Sequence, residues 1–226
     1  MSSSIGQFGS HPVLRYAPRD AVPPPPLEWH FSRLGGKLSG LYSITTSCID
    51  APFCRAQRLA AVDDDVCSRC YAASALLTYR ANARESMERN RRKLNEAQFE
   101  PPKKWPSMTA LRLLSHGDFS SARELKALYR LAQSAPPGLP IAMWTKNLSA
   151  VRDYCDPPPK RLEMIYSSPK IGVEAALPFR FSRTFTVYTA ADAIPEGVFR
   201  CRDRCAECLE CYLPSGAKRV GVVLHR

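Results

Sequence analysis

The residues best equipped for chemistry are thiols, and eight of the nine cysteines fall into two groups. The tighter group is C-terminal: Cys201-Arg-Asp-Arg-Cys205-Ala-Glu-Cys208-Leu-Glu-Cys211. Arg202, Asp203, Arg204, Glu207 and Glu210 would keep this segment out of a hydrophobic core, so its thiols are not there for packing. Thiolates at this density ligate metal. Zinc sites usually draw two well-separated CxxC pairs around a tetrahedron, whereas dense runs with gaps of two and three residues wrap an iron–sulfur cubane. The spacing therefore favours a 4Fe-4S cluster, with zinc as the alternative. The second group is Cys48, Cys54, Cys67 and Cys70, with Cys67-Ser-Arg-Cys70 as its recognisable knuckle. Its wider gaps are weaker signals, and buried free thiols are the competing reading, because free cysteine is among the most buried residue types. The groups could also merge, Cys67 and Cys70 joining Cys205 and Cys208 in one four-cysteine zinc site. Cys155 stands alone beside a proline run and reads as packing.

Other reactive types are sparser. His116 next to Asp118 could form an acid/base pair, since histidine titrates near neutrality. A Gly-Asp turn after a strand is more often the cap of the following helix, and Asp118 is read that way. No Ser-His-Asp signature or phosphate loop is present, and Gly35-Gly36-Lys37 reads as a turn. Between Tyr79 and Lys93, Arg80, Arg84 and Arg91 fall within reach of one helical face and could track phosphates. Glu85 and Glu88 among them favour a solvated, internally paired face equally well.

The chain must supply elements to position these groups, and 226 residues suffice for one domain with a real core. Hydrophobic residues at 45% and charged residues at 23% are ordinary for a folded protein. No apolar run is long enough to span a bilayer, and the first residues lack the features of a secretory signal, so no membrane partner and a cytoplasmic site are expected. A reducing compartment turns nine cysteines away from disulfides and towards metal or redox use. Lys plus Arg number 32 against 21 for Asp plus Glu, a formal charge of +11 that favours polyanions, nucleic acid above all.

Residues 1–28 end in Pro23-Pro24-Pro25-Pro26 and read as a flexible, proline-rich N-terminal arm. Residues 29–226 read as a single α/β metal-binding domain. Six strands are expected, at Leu38–Thr46, Leu111–Ser115, Ile141–Thr145, Leu162–Tyr166, Phe185–Tyr188 and Arg219–Leu224. Between them come a long helix from about Ala72 to Glu96, a helix Ala122–Gln133 capped by Ser120 or Ser121, and a short helix from Ser149 to about Tyr154. Alternation at this spacing argues for βαβ units: a mostly parallel sheet, open or rolled into a partial (β/α) barrel, carrying cysteine-rich metal loops. In such folds chemistry collects at the carboxyl ends of the strands.

Cys70-Tyr71-Ala72 after a cysteine cluster, a helix with Arg80, Asn82 and Asn90, Ser115-His116-Gly117-Asp118-Phe119-Ser120, Trp144-Thr145-Lys146-Asn147 and the cysteine-rich tail follow one another over most of residues 38–211. In this order they resemble the phage-encoded gene-product-88-like proteins. The resemblance implies a phage or prophage origin, hence the cytoplasm of an infected or lysogenic bacterium, and a distant likeness to the partial barrels of radical S-adenosylmethionine enzymes. By that likeness Gly117 and Asp118 would hold the methionine end of S-adenosylmethionine. The radical-enzyme spacing CxxxCxxC is absent after the first strand and is matched only by Cys201-Cys205-Cys208. A cluster that cleaves the cofactor keeps one iron free of thiolate, whereas two groups of four describe two closed clusters. The expected function is thus a phage-encoded iron–sulfur protein with a redox, radical or cluster-stabilised binding role. The alternative is a zinc-stabilised nucleic-acid-binding module without catalysis.

Overall fold

A computed structural model describes residues 28–224. The proline-rich arm expected at residues 1–28 lies outside the described residues but for its last. Eight strands form one sheet: β1 (Ser32–Arg33), β2 (Tyr42–Ile44), β3 (Leu111–Leu113), β4 (Ile141–Thr145), β5 (Leu162–Ser167), β6 (Arg183–Tyr188), β7 (Phe199–Arg200) and β8 (Arg219–Val223). Their order across the sheet is β1-β2-β3-β4-β5-β6-β8-β7. Only the β1–β2 pair is antiparallel. The sheet is open, and its central strands follow chain order without the reversal that marks a doubly wound fold.

All six expected strands are present, but the count is eight rather than six. The additions, β1 and β7, are two residues each and flank the sheet, too short for any alternation to announce them. The first expected strand is also shorter. Gly36 and Gly40 take left-handed backbone (φ +58° and +89°), so the chain makes a 3-10 turn at Gly36–Leu38 and extends only from Tyr42.

Helices connect the strands: α1 (Pro52–Ala60), α2 (Tyr71–Leu77), α3 (Arg84–Leu94), α4 (Ala122–Ser134), α5 (Leu148–Asp153) and the single turn α6 (Cys205–Cys208). The long helix expected over 72–96 is broken. Thr78 turns its hydroxyl back to the Ser74 carbonyl (2.8 Å) and leaves helical backbone, and the chain restarts as α3 after a 3-10 turn at Ala81–Ala83. α4 has a capping box: Ser121 Oγ accepts from Glu124 N (3.2 Å), and Glu124 Oε2 accepts from Ser120 N (2.6 Å). Asp118 is therefore not the cap of this helix.

Strand alternation sorts the core into two faces. Leu111, Leu113, Ile141, Met143, Leu162 and Met164 pack with α4 residues such as Leu125 and Leu128 in the larger cluster. Ala142, Trp144 and Ile165 point to the other face, where they meet Leu34, Leu41 and Tyr212. Burial on both faces explains why β4 and β5 carry near-continuous apolar runs. The second face is covered by the cysteine-rich C-terminal segment, with Cys205, Ala206 and Cys211 packed against it.

Candidate metal centre

The N-terminal thiols are assembled by the segment that leaves β2 at its carboxyl end. Asn90 of α3, fully buried, donates to the Thr45 and His30 carbonyls and accepts from His30 N (2.8 Å), fixing the strand exit. Ser47 Oγ accepts from the backbone of Ile49 and Asp50, turning the chain at Cys48. Asp50 is bonded in turn by Arg84 Nε at 2.7 Å. α1 carries Cys54, and the turn before α2 carries Cys67 and Cys70. Sequence reasoning missed α1, a nine-residue helix that Pro52 starts and that buries none of its residues.

The four thiols of this group act on one another. Cys48 and Cys70 share a hydrogen bond, which pulls the Cys70 thiol down to about 6 and raises that of Cys48. Burial pushes Cys54 up to about 12 and raises Cys67, while Lys146 opposes the rise at Cys67. The C-terminal group repeats this pattern. A Cys201–Cys205 hydrogen bond lowers Cys201 to about 6 and raises Cys205; burial takes Cys211 up to about 12. For Cys67, Cys70 and Cys205 the neighbouring thiols that bear on each come from its own group. Cys155 is exposed at the surface, which corrects its reading as a packing residue.

Arg183 holds the C-terminal group against the sheet. Fully buried on β6, it donates to Glu163 Oε2 (2.8 Å) and the Leu213 carbonyl (2.7 Å), and its Nη1 reaches the Glu210 carbonyl beside Cys211. A Cβ at Gly216 would overlap that carbonyl and Arg183 Nη1, so glycine is required there. Lys37 ties the 3-10 turn to the same loop through Asp203 (3.1 Å).

Both groups face one cavity of about 240 Å³. Cys48, Cys54, Cys67 and Cys70 line it together with Cys201, Cys205 and Cys211. All four C-terminal cysteines also enclose a smaller cavity of about 20 Å³. Among the described residues, no three His, Cys, Asp or Glu side chains close on one point as a single ion requires. The thiols approach in pairs within wider groups. Their surroundings suit an anionic centre: Arg58 bears on Cys48, Lys146 on Cys67 and Cys70, and Arg112 and Arg183 on Cys211. The Nε atoms of Arg58, Arg112 and Arg183 are buried with no hydrogen-bond partner among the described residues. Thiolates, or sulfides held between them, are the acceptors such donors call for.

Gly117 and Asp118 also line the cavity. A Cβ at Gly117 would overlap the Thr46 hydroxyl and carbonyl, so the glycine lets the loops after β2 and β3 touch. Asp118 is buried, and both its oxygens are engaged: Thr145 Oγ1 (2.7 Å) and Phe119 N (2.9 Å) donate to one and Lys146 N (2.9 Å) to the other. Burial raises its carboxyl to about 6 despite these bonds. His116 turns away from Asp118. Its Nε2 meets Arg80 Nη1 (3.0 Å) and its Nδ1 meets Ser115 Oγ (2.9 Å). Arg84 and Arg91, offered with Arg80 as a phosphate track, bond to Asp50 and to Glu88 and Glu124 respectively. No helix among the described residues is long and apolar enough to cross a membrane. No protein-family model, curated protein or solved structure matches the chain.

Proposed function

We propose that the chain is an iron–sulfur protein, phage-encoded as its motifs suggest. Cys48, Cys54, Cys67 and Cys70 would hold one 4Fe-4S cluster and Cys201, Cys205, Cys208 and Cys211 a second. The observation that carries this reading is the meeting of both cysteine groups around one cavity edged by arginines whose buried Nε atoms lack acceptors. The strand order, sequential from β2 to β6 and then β8, supports a partial (β/α) barrel curled about that cavity. Bound clusters would supply one-electron redox chemistry. Four thiols in each group favour closed centres that pass electrons over an open iron that binds a cofactor. The engagement of both Asp118 oxygens favours the same choice over S-adenosylmethionine chemistry. The zinc-stapled nucleic-acid module draws less support, since Arg84 and Arg91 of α3 pair with carboxylates of the domain.

Protein purified anaerobically should be brown, with a broad thiolate-to-iron band near about 400 nm and iron matched by acid-labile sulfide. A folded, colourless protein carrying stoichiometric zinc would replace this reading with the zinc one. A folded protein holding neither metal, its thiols freely titratable, would end both.

A further inference from the structure

We infer that the cavity between the two cysteine groups binds a small organic carboxylate with a flat, apolar body. The inference goes beyond the metal reading, because it concerns the wall between the thiol groups rather than the thiols.

The charge of that wall is one-sided. Arg58, Arg69, Arg112 and Lys146 line the cavity, as does Lys37, which Asp203 pairs, against Asp118 as the one acidic residue of the lining, and the Asp118 oxygens are already bonded. Low dielectric makes such an imbalance more costly than it would be in water, and an anionic occupant offsets it. Arg112 is the pivot. It projects from β3 to the cavity face, where its charge reaches His116 beside one cysteine group and Cys205 and Cys211 in the other. Among the described residues no carboxylate pairs with it, and its two terminal nitrogens are distinct from the buried Nε that faces the thiols' demand for donors.

The geometry selects a carboxylate over a point anion. The Arg112 guanidinium carbon lies 4.0 Å from the centroid of the Trp144 ring, a cation–π contact that restrains the side chain. A planar fork matches a carboxylate with two parallel bonds. Lys146, anchored to Ser167 Oγ at 3.0 Å, adds a second cation on the same wall. Trp144, Phe185, Val187 and Val222 give the same cavity an apolar surface. A volume of about 240 Å³ lies just below the range of roughly 300–1,000 Å³ usual for drug-sized ligands, which fits a small molecule.

Benzoate is a suitable probe and benzamide its neutral counterpart. Calorimetric titration of the protein as purified, with iron and zinc counted in the same sample, should show saturable benzoate binding at least ten-fold tighter than benzamide. Arg112→Gln and Lys146→Gln, each compared with wild type in folded samples of equal metal content, should weaken benzoate at least ten-fold. Arg130→Gln, whose guanidinium stacks on Phe99 outside the cavity, should bind as the wild type does. Should Arg112→Gln fail to fold, Lys146→Gln decides. The inference is overturned if benzoate does not saturate the folded protein, if benzamide binds equally, or if the substitutions alter metal content alone. Iron without benzoate binding defeats this inference only; benzoate binding without iron defeats the cluster reading only.

Discussion

His116 shows how one side chain's partners fix its chemical state. Guanidinium has no acceptor, so Arg80 must donate to Nε2, and the ring is therefore neutral with its proton on Nδ1 facing Ser115. Burial first, then the charges of Arg80 and Arg112, depress its pKa to about 4. Against about 6.5 in the unfolded chain, a depressed histidine contributes stability that is fully present above pH 6.5 and is lost as pH falls through 4. The shift sets a ceiling of about 3 kcal/mol, less whatever solvent screens. His116→Gln keeps an acceptor for Arg80 but cannot be protonated in this range. Urea unfolding between pH 7 and 4 should show the wild type losing more stability than the variant, with acid effects on the thiols common to both. Parallel curves would show that the ring is free to ionise in place. The sequence put His116 two residues from Asp118 and suggested a pair; the chain turns between them, sending Asp118 towards β4 and His116 towards Arg80.

At the scale of elements, β6 does more than complete a sheet. Its alternation puts Arg183 on the cavity face, where one guanidinium joins β5 through Glu163 to the carbonyls of Glu210 and Leu213. Removing one partner of a buried pair strands the other's charge, so Arg183→Met should cost about 3–5 kcal/mol. Adding Glu163→Met should restore much of that loss, since a well-packed apolar pair can replace a buried ion pair. Chemical denaturation of the single and double variants measures both, and a single variant within about 1 kcal/mol of wild type would refute the role given to Arg183. None of this was legible beforehand, because an arginine at a strand start looks the same whether it faces water or the core. The strands themselves were legible: β4 and β5 are buried on both faces and announce it in their apolar runs. The breaks at Thr78 and Gly40 were not, since a hydroxyl turned on its own helix and a glycine's sign of φ leave periodicity unchanged.

For the whole molecule, the sequence separated two cysteine groups but could not say how they stand to each other, because that depends on which face of the sheet the tail covers. Trp144, Phe185 and Tyr212 make that choice by packing the tail onto the face opposite α4. The consequence is two thiol groups that share one cavity. Independent clusters there would follow a definite arithmetic. If each group holds its own cluster, replacing Cys67 and Cys70 by Ser should lower iron from about eight to about four atoms per chain and leave a 400 nm band of about half intensity. Replacing Cys205 and Cys208 should do the same from the other side, and the four substitutions together should remove iron altogether. A single site shared between the ends of the domain would instead lose all its metal with either pair, so iron counted in the two double variants separates the arrangements without any knowledge of substrate.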